Sequence, residues 1–533
     1  MTKRTDVKKK AAAGRKTGRK IAPPPAKVRI RQLQTGVRGL DEILGGGLPE
    51  LSFNIIAGAP GSGKTTLAHQ IVFANATPGR TALYFTVLGE PALKMLRYQQ
   101  QYSFFDPDKL GGTIRFFDLG EAMLDKDLAE VLDGIVSEVK ASKPGIVVVD
   151  SFRSMVRTVA AKCGEMEFQD FIQRLSLFLA SWQVTAILVG EYSEPEQRDN
   201  PVFTVADGIF WLTQSAERNS VVRKLQIVKL RGQESVPGLH TFRITNEGLQ
   251  AFSRTMGLHA PKRRPGKRRR LSIGIPELDR MMGGGILEGD SMLVSGPSGT
   301  GKSALATQFL AEGLRLGEPG IAAIFEERPS GYAQRAGAFG LGLPRGLKQG
   351  KLELLYLRPL DLSVDETMQE ILDAVERTGA KRLVIDSLVG FEMALAPGFR
   401  ADFRESLYRL ISALTGAGVT VFTTVEVDDT FTGMAFSHYT ISFLTDDIIR
   451  LRYVEIDGQL RKIMVVIKMR GSNHSKDIRE YVITDKGVVL IGPRQTDYAR
   501  LTTGLPERIG HLREEAPEPK AGAEPPCEEP GPD

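Results

Sequence analysis

The chain has 533 residues, 41% hydrophobic and 25% charged, and only two cysteines, Cys163 and Cys527. Two cysteines exclude a disulfide framework, no apolar run approaches the ~20 residues of a membrane span, and no apolar segment follows Met1 as in a secretory signal, so a cytoplasmic protein without membrane association is expected. The net charge of +6 is unevenly placed: residues 1–27 hold ten Lys/Arg against one Asp and residues 262–270 hold seven more, which leaves the remainder acidic by about 10 charges.

Residues 1–27 are rich in Lys, Ala and Pro and read as a disordered basic tail, too poor in apolar surface to offset chain entropy. A first domain, 28–256, follows. Its apolar run Phe53–Ala57 leads into Gly58-Ala59-Pro60-Gly61-Ser62-Gly63-Lys64-Thr65, a G-x-x-x-x-G-K-[ST] phosphate loop, and a helical pattern leaves it from Thr66 to Val72. In such a loop the glycines let backbone N–H groups curl around phosphates, Lys64 reaches the β/γ-phosphates and the Thr65 hydroxyl ligates Mg²⁺. The helix N-terminus adds positive potential. Runs at 82–85, 146–150 and 186–189 read as buried strands separated by helices, the pattern of a parallel sheet covered on both faces. Asp150 ends one run, at the carboxyl edge where ligands of such sheets bind, and a carboxylate there holds Mg²⁺ opposite the loop hydroxyl. In Val228-Lys229-Leu230-Arg231-Gly232 the alternation of a strand puts Lys229 and Arg231 on one side, a cation pair suited to the phosphates of a neighbouring subunit.

A basic linker, 257–270, separates this domain from a second, 271–497, which repeats it at an offset of 238 residues. Gly36-Val37-Arg38-Gly39-Leu40-Asp41 maps onto Gly274-Ile275-Pro276-Glu277-Leu278-Asp279, and the loop recurs as Gly296-Pro297-Ser298-Gly299-Thr300-Gly301-Lys302-Ser303. Strands are expected at 291–294, 322–325, 383–386 and 419–423, Asp386 stands where Asp150 does, and Lys468 and Arg470 repeat the late cation pair. The copies differ after the second strand. The second domain has Glu326-Glu327, carboxylates placed to orient water or take a hydroxyl proton beside a γ-phosphate. The first has Leu88-Gly89, with Glu90 displaced, so the first loop is expected mainly to assemble the protein and the second to carry chemistry. Residues 498–533 read as an acidic Pro/Glu-rich tail.

Together these residues resemble the KaiC family of double-domain RecA-like ATPases, over roughly residues 28–497. The most specific segments are the two loops, Glu326-Glu327, Tyr453-Val454-Glu455-Ile456, Lys468-Met469-Arg470-Gly471-Ser472 and Ile478-Arg479-Glu480-Tyr481-Val482-Ile483. The resemblance implies an α/β fold of two tandem RecA-like P-loop NTPase domains, each a mostly parallel sheet with helices on both faces. It also implies a homohexamer of two stacked rings, with ATP and Mg²⁺ bound between adjacent subunits. The residues carried over are Gly58, Gly61, Ser62, Gly63, Lys64, Thr65, Thr66, Gly296, Gly299, Thr300, Gly301, Lys302 and Ser303 for nucleotide, and Thr65, Asp150, Ser303 and Asp386 for metal. Glu326 and Glu327 match the catalytic pair, and Lys229, Arg231, Lys468 and Arg470 the groups supplied in trans. The family's phosphorylated Ser-Thr pair falls on Ser442-Phe443, which keeps one acceptor and loses the other.

The leading reading is an ATP-hydrolysing, autophosphorylating switch read by a signalling partner of the KaiB-like or histidine-kinase type. The alternative is a RecA-like ATPase acting on nucleic acid, for which the basic segments are the argument. Their concentration in a tail and a linker rather than across the domains favours the switch.

Overall fold

The computed structural model describes residues 30–86, 92–119, 128–151, 173–193 except 176, 179, 180 and 182, 201–217, 220–254, 268–357, 363–395, 403–427, 445–492, 498–499 and 507–508. Leu88, Gly89, Glu90, Ser442 and Phe443 lie outside the described residues, as do both tails for the most part and residues 255–267 of the linker.

In the first domain β1 (Phe53–Gly58) feeds the phosphate loop and α1 (Lys64–Asn75); then come β2 (Ala82–Thr86), β3 (Ile114–Asp118), α2 (Leu128–Ser142), β4 (Ile146–Asp150) and β5 (Thr185–Glu191). Strands β6 (Gly208–Glu217), β7 (Ser220–Leu230), β8 (Leu239–Thr245) and β9 (Gly248–Phe252) complete it. They form one nine-stranded sheet in the order β9-β8-β7-β6-β1-β5-β4-β2-β3, parallel from β6 to β3 and antiparallel from β6 to β9. Strand alternation sends successive side chains into two cores. Leu83, Phe85, Val147 and Val149 pack under α2 with Val131, Ile135 and Val139. Ala82, Tyr84, Ile146 and Val148 pack under α1 with Leu67, Ala68 and Ile71. Each large apolar side chain buried in this way contributes about 1.5–3 kcal/mol. The near-continuous apolar runs of the sequence are this two-faced burial.

The second domain repeats the plan: β10 (Ser291–Gly296), α3 (Lys302–Arg315), β11 (Gly320–Ile324), α4 (Pro329–Ala338), α5 (Leu343–Lys348), β12 (Leu352–Tyr356), α6 (Val364–Thr378), β13 (Arg382–Asp386), α7 (Leu388–Ala394), α8 (Phe403–Gly416), β14 (Thr420–Glu426), β15 (Asp447–Ile456), β16 (Gln459–Met469), β17 (Arg479–Thr484) and β18 (Gly487–Ile491). Its sheet order is β12-β11-β13-β14-β10-β15-β16-β17-β18, the same succession as in the first domain. The expected α/β architecture of two tandem, mostly parallel sheets is what the chain forms. No helix among the described residues is long and apolar enough to cross a membrane.

The end of the basic linker is bound to the second domain. Arg268 pairs with Asp290, Arg269 reaches Glu288 at 3.5 Å and Glu318 at 2.6 Å, and Arg270 donates to the carbonyls of Met282 and Gly285. These three arginines are committed to acids and carbonyls of the second domain, so their charge is largely spent on folding rather than offered to a polyanion.

The domains meet through charge. Helix α6 turns Glu366 and Asp373 toward the first domain, where Arg243 bonds Glu366 at 2.7 Å and Arg38 pairs with Asp373. Arg409 of α8 bonds Asp365 at 2.9 Å and donates to the Arg254 carbonyl, while Val222 inserts into the apolar core of the second domain. Burial pushes the Glu366 carboxyl up to about 7, with Glu370 adding to the rise and Arg243 opposing it. A carboxyl raised above its free value of 4.5 favours the folded state when protonated. That contribution is complete below about pH 4.5 and disappears as pH rises through about 7. Thermal stability of the whole chain is therefore expected to fall between pH 5 and pH 8. Glu366→Gln should remove part of that slope in calorimetry and leave the share of Asp447, whose carboxyl is likewise pushed up to about 7 by burial. An unchanged slope in the variant would rule out Glu366 as the titrating group.

Candidate functional site

Both phosphate loops sit at the carboxyl end of the central strand, because β1 and β10 end in Gly58 and Gly296 and the chain must turn sharply into a helix. Two positions need glycine for stated reasons. Gly63 and Gly301 both have φ of 97°, in the left-handed region, and a Cβ there would stand 2.6 Å from Ile244 Cδ1 in one domain and from Ile483 Cδ1 in the other. The terminal hairpin of each sheet is thus the wall against which its loop is formed. In the second domain the wall is reinforced, as Tyr481 Oη donates to the Thr300 carbonyl at 2.5 Å and Thr300 Oγ1 donates to the Pro297 carbonyl. In the first, Ser62 Oγ is buried without a hydrogen-bond partner among the described residues.

The loop lysines are buried and folded inward. Lys64 Nζ donates to the Ala59 carbonyl at 2.7 Å, and Lys302 Nζ to the carbonyls of Gly296 and Pro297 at 3.0 and 2.8 Å. Burial lowers the pKa of both ammonium groups, and nearby carboxylates counter it: Glu191 and Asp150 for Lys64, and Glu426, Asp386 and Glu326 for Lys302. A buried cation held by carbonyls and carboxylates is one that a phosphate would stabilise further.

Asp150 and Asp386 fall where expected, at the ends of β4 and β13. In the first domain Asp150 Oδ2 accepts from Thr65 Oγ1 and from Tyr84 Oη, each at 2.8 Å. Burial raises the Asp150 pKa, and these two hydrogen bonds oppose the rise. In the second domain Asp386 accepts from Thr424 Oγ1 at 2.6 Å, and Ser303 Oγ makes no hydrogen bond among the described residues. The peptide bond after each aspartate is cis.

The two glutamates of the pair separate. Glu326 accepts from Ser387 Oγ at 2.6 Å, beside Asp386, and contributes to the field on Lys302. Glu327 faces α4, where Arg335 holds it at 2.7 Å. The structure therefore brings Glu326 into the loop site with Lys302 and Asp386 and leaves Glu327 on an arginine at its margin.

The late cations are placed differently from their reading on a common strand face. Strands β7 and β16 end at Leu230 and Met469, so Arg231 and Arg470 follow in turns, bonded to Asp207 at 3.1 Å and Asp446 at 3.3 Å. Lys229 and Lys468 remain on the strands and donate to the carbonyls of Thr204 and Thr445. Register fixes where they stand. Leu230 pairs with Gly208, which pairs with Asn54 at the amino end of β1, whereas the loop opens beyond Gly58. Four residues of strand separate the two levels, about 13 Å. The second domain repeats the relation, with Lys468 against Ile448 and Ile448 against Leu293. These cations lie at the opposite edge of the sheet from their own phosphate loop.

Sequence reading missed three contributors. Glu191 and Glu426 end β5 and β14 in register with Gly58 and Gly296, and Glu426 lies 3.8 Å from Lys302. A glutamate closing the strand next to the loop in both copies was the available signal. Tyr84 is the third, and only the structure shows that its hydroxyl reaches Asp150 from inside the core.

The family model described as "ATPase: KaiC" matches residues 33–255 and again 271–495. The Circadian clock oscillator protein KaiC of Picosynechococcus sp. is 30% identical over 491 residues, covering 90% of this chain and 93% of that protein. That of Rippkaea orientalis is 30% identical over 491 residues, at 90% and 92%, and KaiC 1 of Synechocystis sp. is 30% identical over 494 residues, at the same shares.

Removing the Tyr84 hydroxyl removes an influence that holds the Asp150 pKa down, so the carboxylate would lose its charge at higher pH. In a Lys302→Ala background, where the second loop is silenced, Tyr84→Phe is expected to weaken nucleotide binding by the first domain about tenfold, the size of one hydrogen bond to a charged group. It should also move the acid limit of binding upward, as measured by fluorescent-nucleotide titration across pH. The second domain carries Ala322 at the corresponding position and needs no such hydroxyl.

Proposed function

The chain belongs to the KaiC family of ATPases, and from that premise we propose that it is an ATP-hydrolysing, ring-forming switch whose second domain also transfers phosphate to Ser442 of a neighbouring subunit. The observation that carries this reading is the setting of Glu326, bonded to Ser387 beside Asp386 and electrostatically coupled to Lys302. A carboxylate so placed can orient a water for hydrolysis or accept the proton of a serine hydroxyl as it attacks the γ-phosphate of ATP. In either case the P–O bond to the β-phosphate breaks and ADP leaves. The acceptor decides the outcome: water yields phosphate, and Ser442 yields phosphoserine.

The residues present suit Mg²⁺ and nucleotide. Thr65 with Asp150 and Ser303 with Asp386 are the hydroxyl and carboxylate sets that would hold the ion, and the buried Asp150, raised in pKa by desolvation, gains from a cation. When bound, the ion would neutralise phosphate charge. Lys64 and Lys302 would then exchange loop carbonyls for phosphate oxygens, and the first-turn amides of α1 and α3, which have no intrahelical partner, would point at the same anion.

A homohexamer is supported by the register argument. Lys229, Arg231, Lys468 and Arg470 stand at the wrong edge of the sheet to serve their own loop, and a ring presents that edge to the next subunit's nucleotide. The first domain, without an in-register glutamate at 88 or 89, is assigned mainly to assembly. A signalling protein that reads the phosphorylated state is the proposed partner.

Incubation with Mg-ATP followed by intact-mass measurement and peptide mapping tests the proposal. One phosphate per chain on Ser442 is expected. Its absence with ATP turnover intact would reduce the protein to an ATPase switch. Glu326→Gln combined with Glu327→Gln should lower phosphate release by roughly 10²–10⁴-fold while ATP binding persists. Unchanged release in that variant would sink the assignment of the second domain as the catalytic one.

A further inference from the structure

A concavity of the second domain lies away from its phosphate loop. It is bounded by the second half of α3, the α4–α5 elbow and the β17–β18 turn, and encloses about 630 Å³. That is the size of a small-ligand or short-peptide site.

The corresponding flank of the first domain is filled by aromatic rings. At the 238-residue offset, Phe73, Tyr102 and Phe104 become Ala311, Gly340 and Gly342, all three of which line the groove. In the first domain those rings pack on one another: Tyr102 stacks on Phe104 at 5.3 Å, and Phe104 meets Phe73 at 6.0 Å. The positions correspond in space as well, because Ser103 N donates to the Asn246 carbonyl and a Cβ on Gly340 would lie 3.8 Å from the Asp485 carbonyl oxygen. A Cβ on Gly342 would meet nothing within 4 Å. Three aromatic side chains that each bury roughly 150–250 Å² are absent from this site, where Gly340 and Gly342 turn the chain at φ of 62° and 73°. Space left by their loss is open to an occupant from elsewhere.

The rim states the chemistry of that occupant. Arg345, Lys351 and Lys486 line the groove and form no ion pair among the described residues. Arg315 is neutralised by Glu312, both nitrogens at 2.7 Å, and Asp485 is the nearest further acid in sequence, beside Lys486. Three uncompensated cations around a partly apolar trough of Leu314, Leu341 and Ala311 suit an acidic, proline-containing peptide.

The chain contains such a peptide. Residues 514–533 hold seven acids, Glu514, Glu515, Glu518, Glu524, Glu528, Glu529 and Asp533, against the single Lys520. We propose that the groove of the second domain is the docking site of this acidic C-terminal segment. Reach permits it. Strand β18 starts beside Lys486 and carries the chain about 16 Å away over its five residues. With Tyr498–Ala499 paired to Glu507–Arg508, the ten residues at 493–497 and 509–513 still span up to about 33 Å. Tethering at that length gives an effective concentration in the millimolar range, so weak individual ion pairs suffice.

Cys527 lies inside the segment, and Cys163 is the other cysteine, so a nitroxide on Cys527 of the full-length Cys163→Ser protein reports docking directly. A motionally restricted component is expected in the spin-resonance spectrum at low salt. It should shrink about fivefold or more in the Arg345→Glu, Lys351→Glu, Lys486→Glu protein, and also on raising the salt to about 0.5 M. Ala311→Phe, which restores a ring and changes no charge, should release the label equally; this variant keeps the test open if the charge reversals impair folding. A label equally mobile in the parent and every variant, or one restricted to the same degree in all of them, overturns the proposal.

Discussion

A buried ammonium is the constraint around which each domain is arranged. Lys64 and Lys302 are drawn into loops whose carbonyls they occupy, and desolvation depresses both pKa values. Such a charge is tolerable only beside carboxylates, and the parallel sheet supplies them. Asp150 with Glu191, and Asp386 with Glu326 and Glu426, stand at the carboxyl ends of strands flanking the loop. The sheet order thus does more than form a core: it sets several acids around one cation.

Much of this was legible in the sequence because it is local. A phosphate loop is eight consecutive residues, a strand-ending Asp follows a short apolar run, and both recur at a constant offset. The strands around Phe53, Ile146, Leu383 and Thr420 were legible for the same reason, since burial on both faces writes an unbroken apolar run. Glu191, Glu426 and Tyr84 were not. Their roles arise from register between strands distant in the chain, and a glutamate after an apolar strand looks in sequence like any solvated end. The partners of the arginines at 268 and 269 were not legible for a related reason: composition shows a basic stretch, while the acids that pair with it, Asp290, Glu288 and Glu318, come 19 to 49 residues later. The late cations recur as a pair but do not share a strand face, because the strand ends between them.

Duplication makes the chain its own control. Two copies of one backbone differ at positions that would be hard to interpret in either alone. Tyr84 against Ala322 separates an aspartate held by a core hydroxyl from one held by Thr424. Phe73, Tyr102 and Phe104 against Ala311, Gly340 and Gly342 separate a flank packed with rings from one without them. Neither substitution alters the sheet, since both copies keep the same strand succession. Divergence has changed a core position and a flank away from the loop, and both copies keep the frame.

The frame also joins the copies. Strand β8 is flanked by β7 and β9, and its alternation points Phe242 and Ile244 one way and Arg243 the other. Ile244 is the wall against which Gly63 is formed, so the first phosphate loop cannot change its curvature without pressing on β8. Arg243 carries the opposite face to Glu366 on α6, at 2.7 Å, and α6 packs beside the strands whose ends bear Asp386 and Glu326. One strand, one ion pair and one helix thus lie between the two loops, and burial pushes the Glu366 carboxyl of that ion pair up to about 7. A protonated Glu366 keeps the packing and weakens the charge attraction to Arg243. The two domains can then remain stacked while the charge attraction across that contact varies with pH.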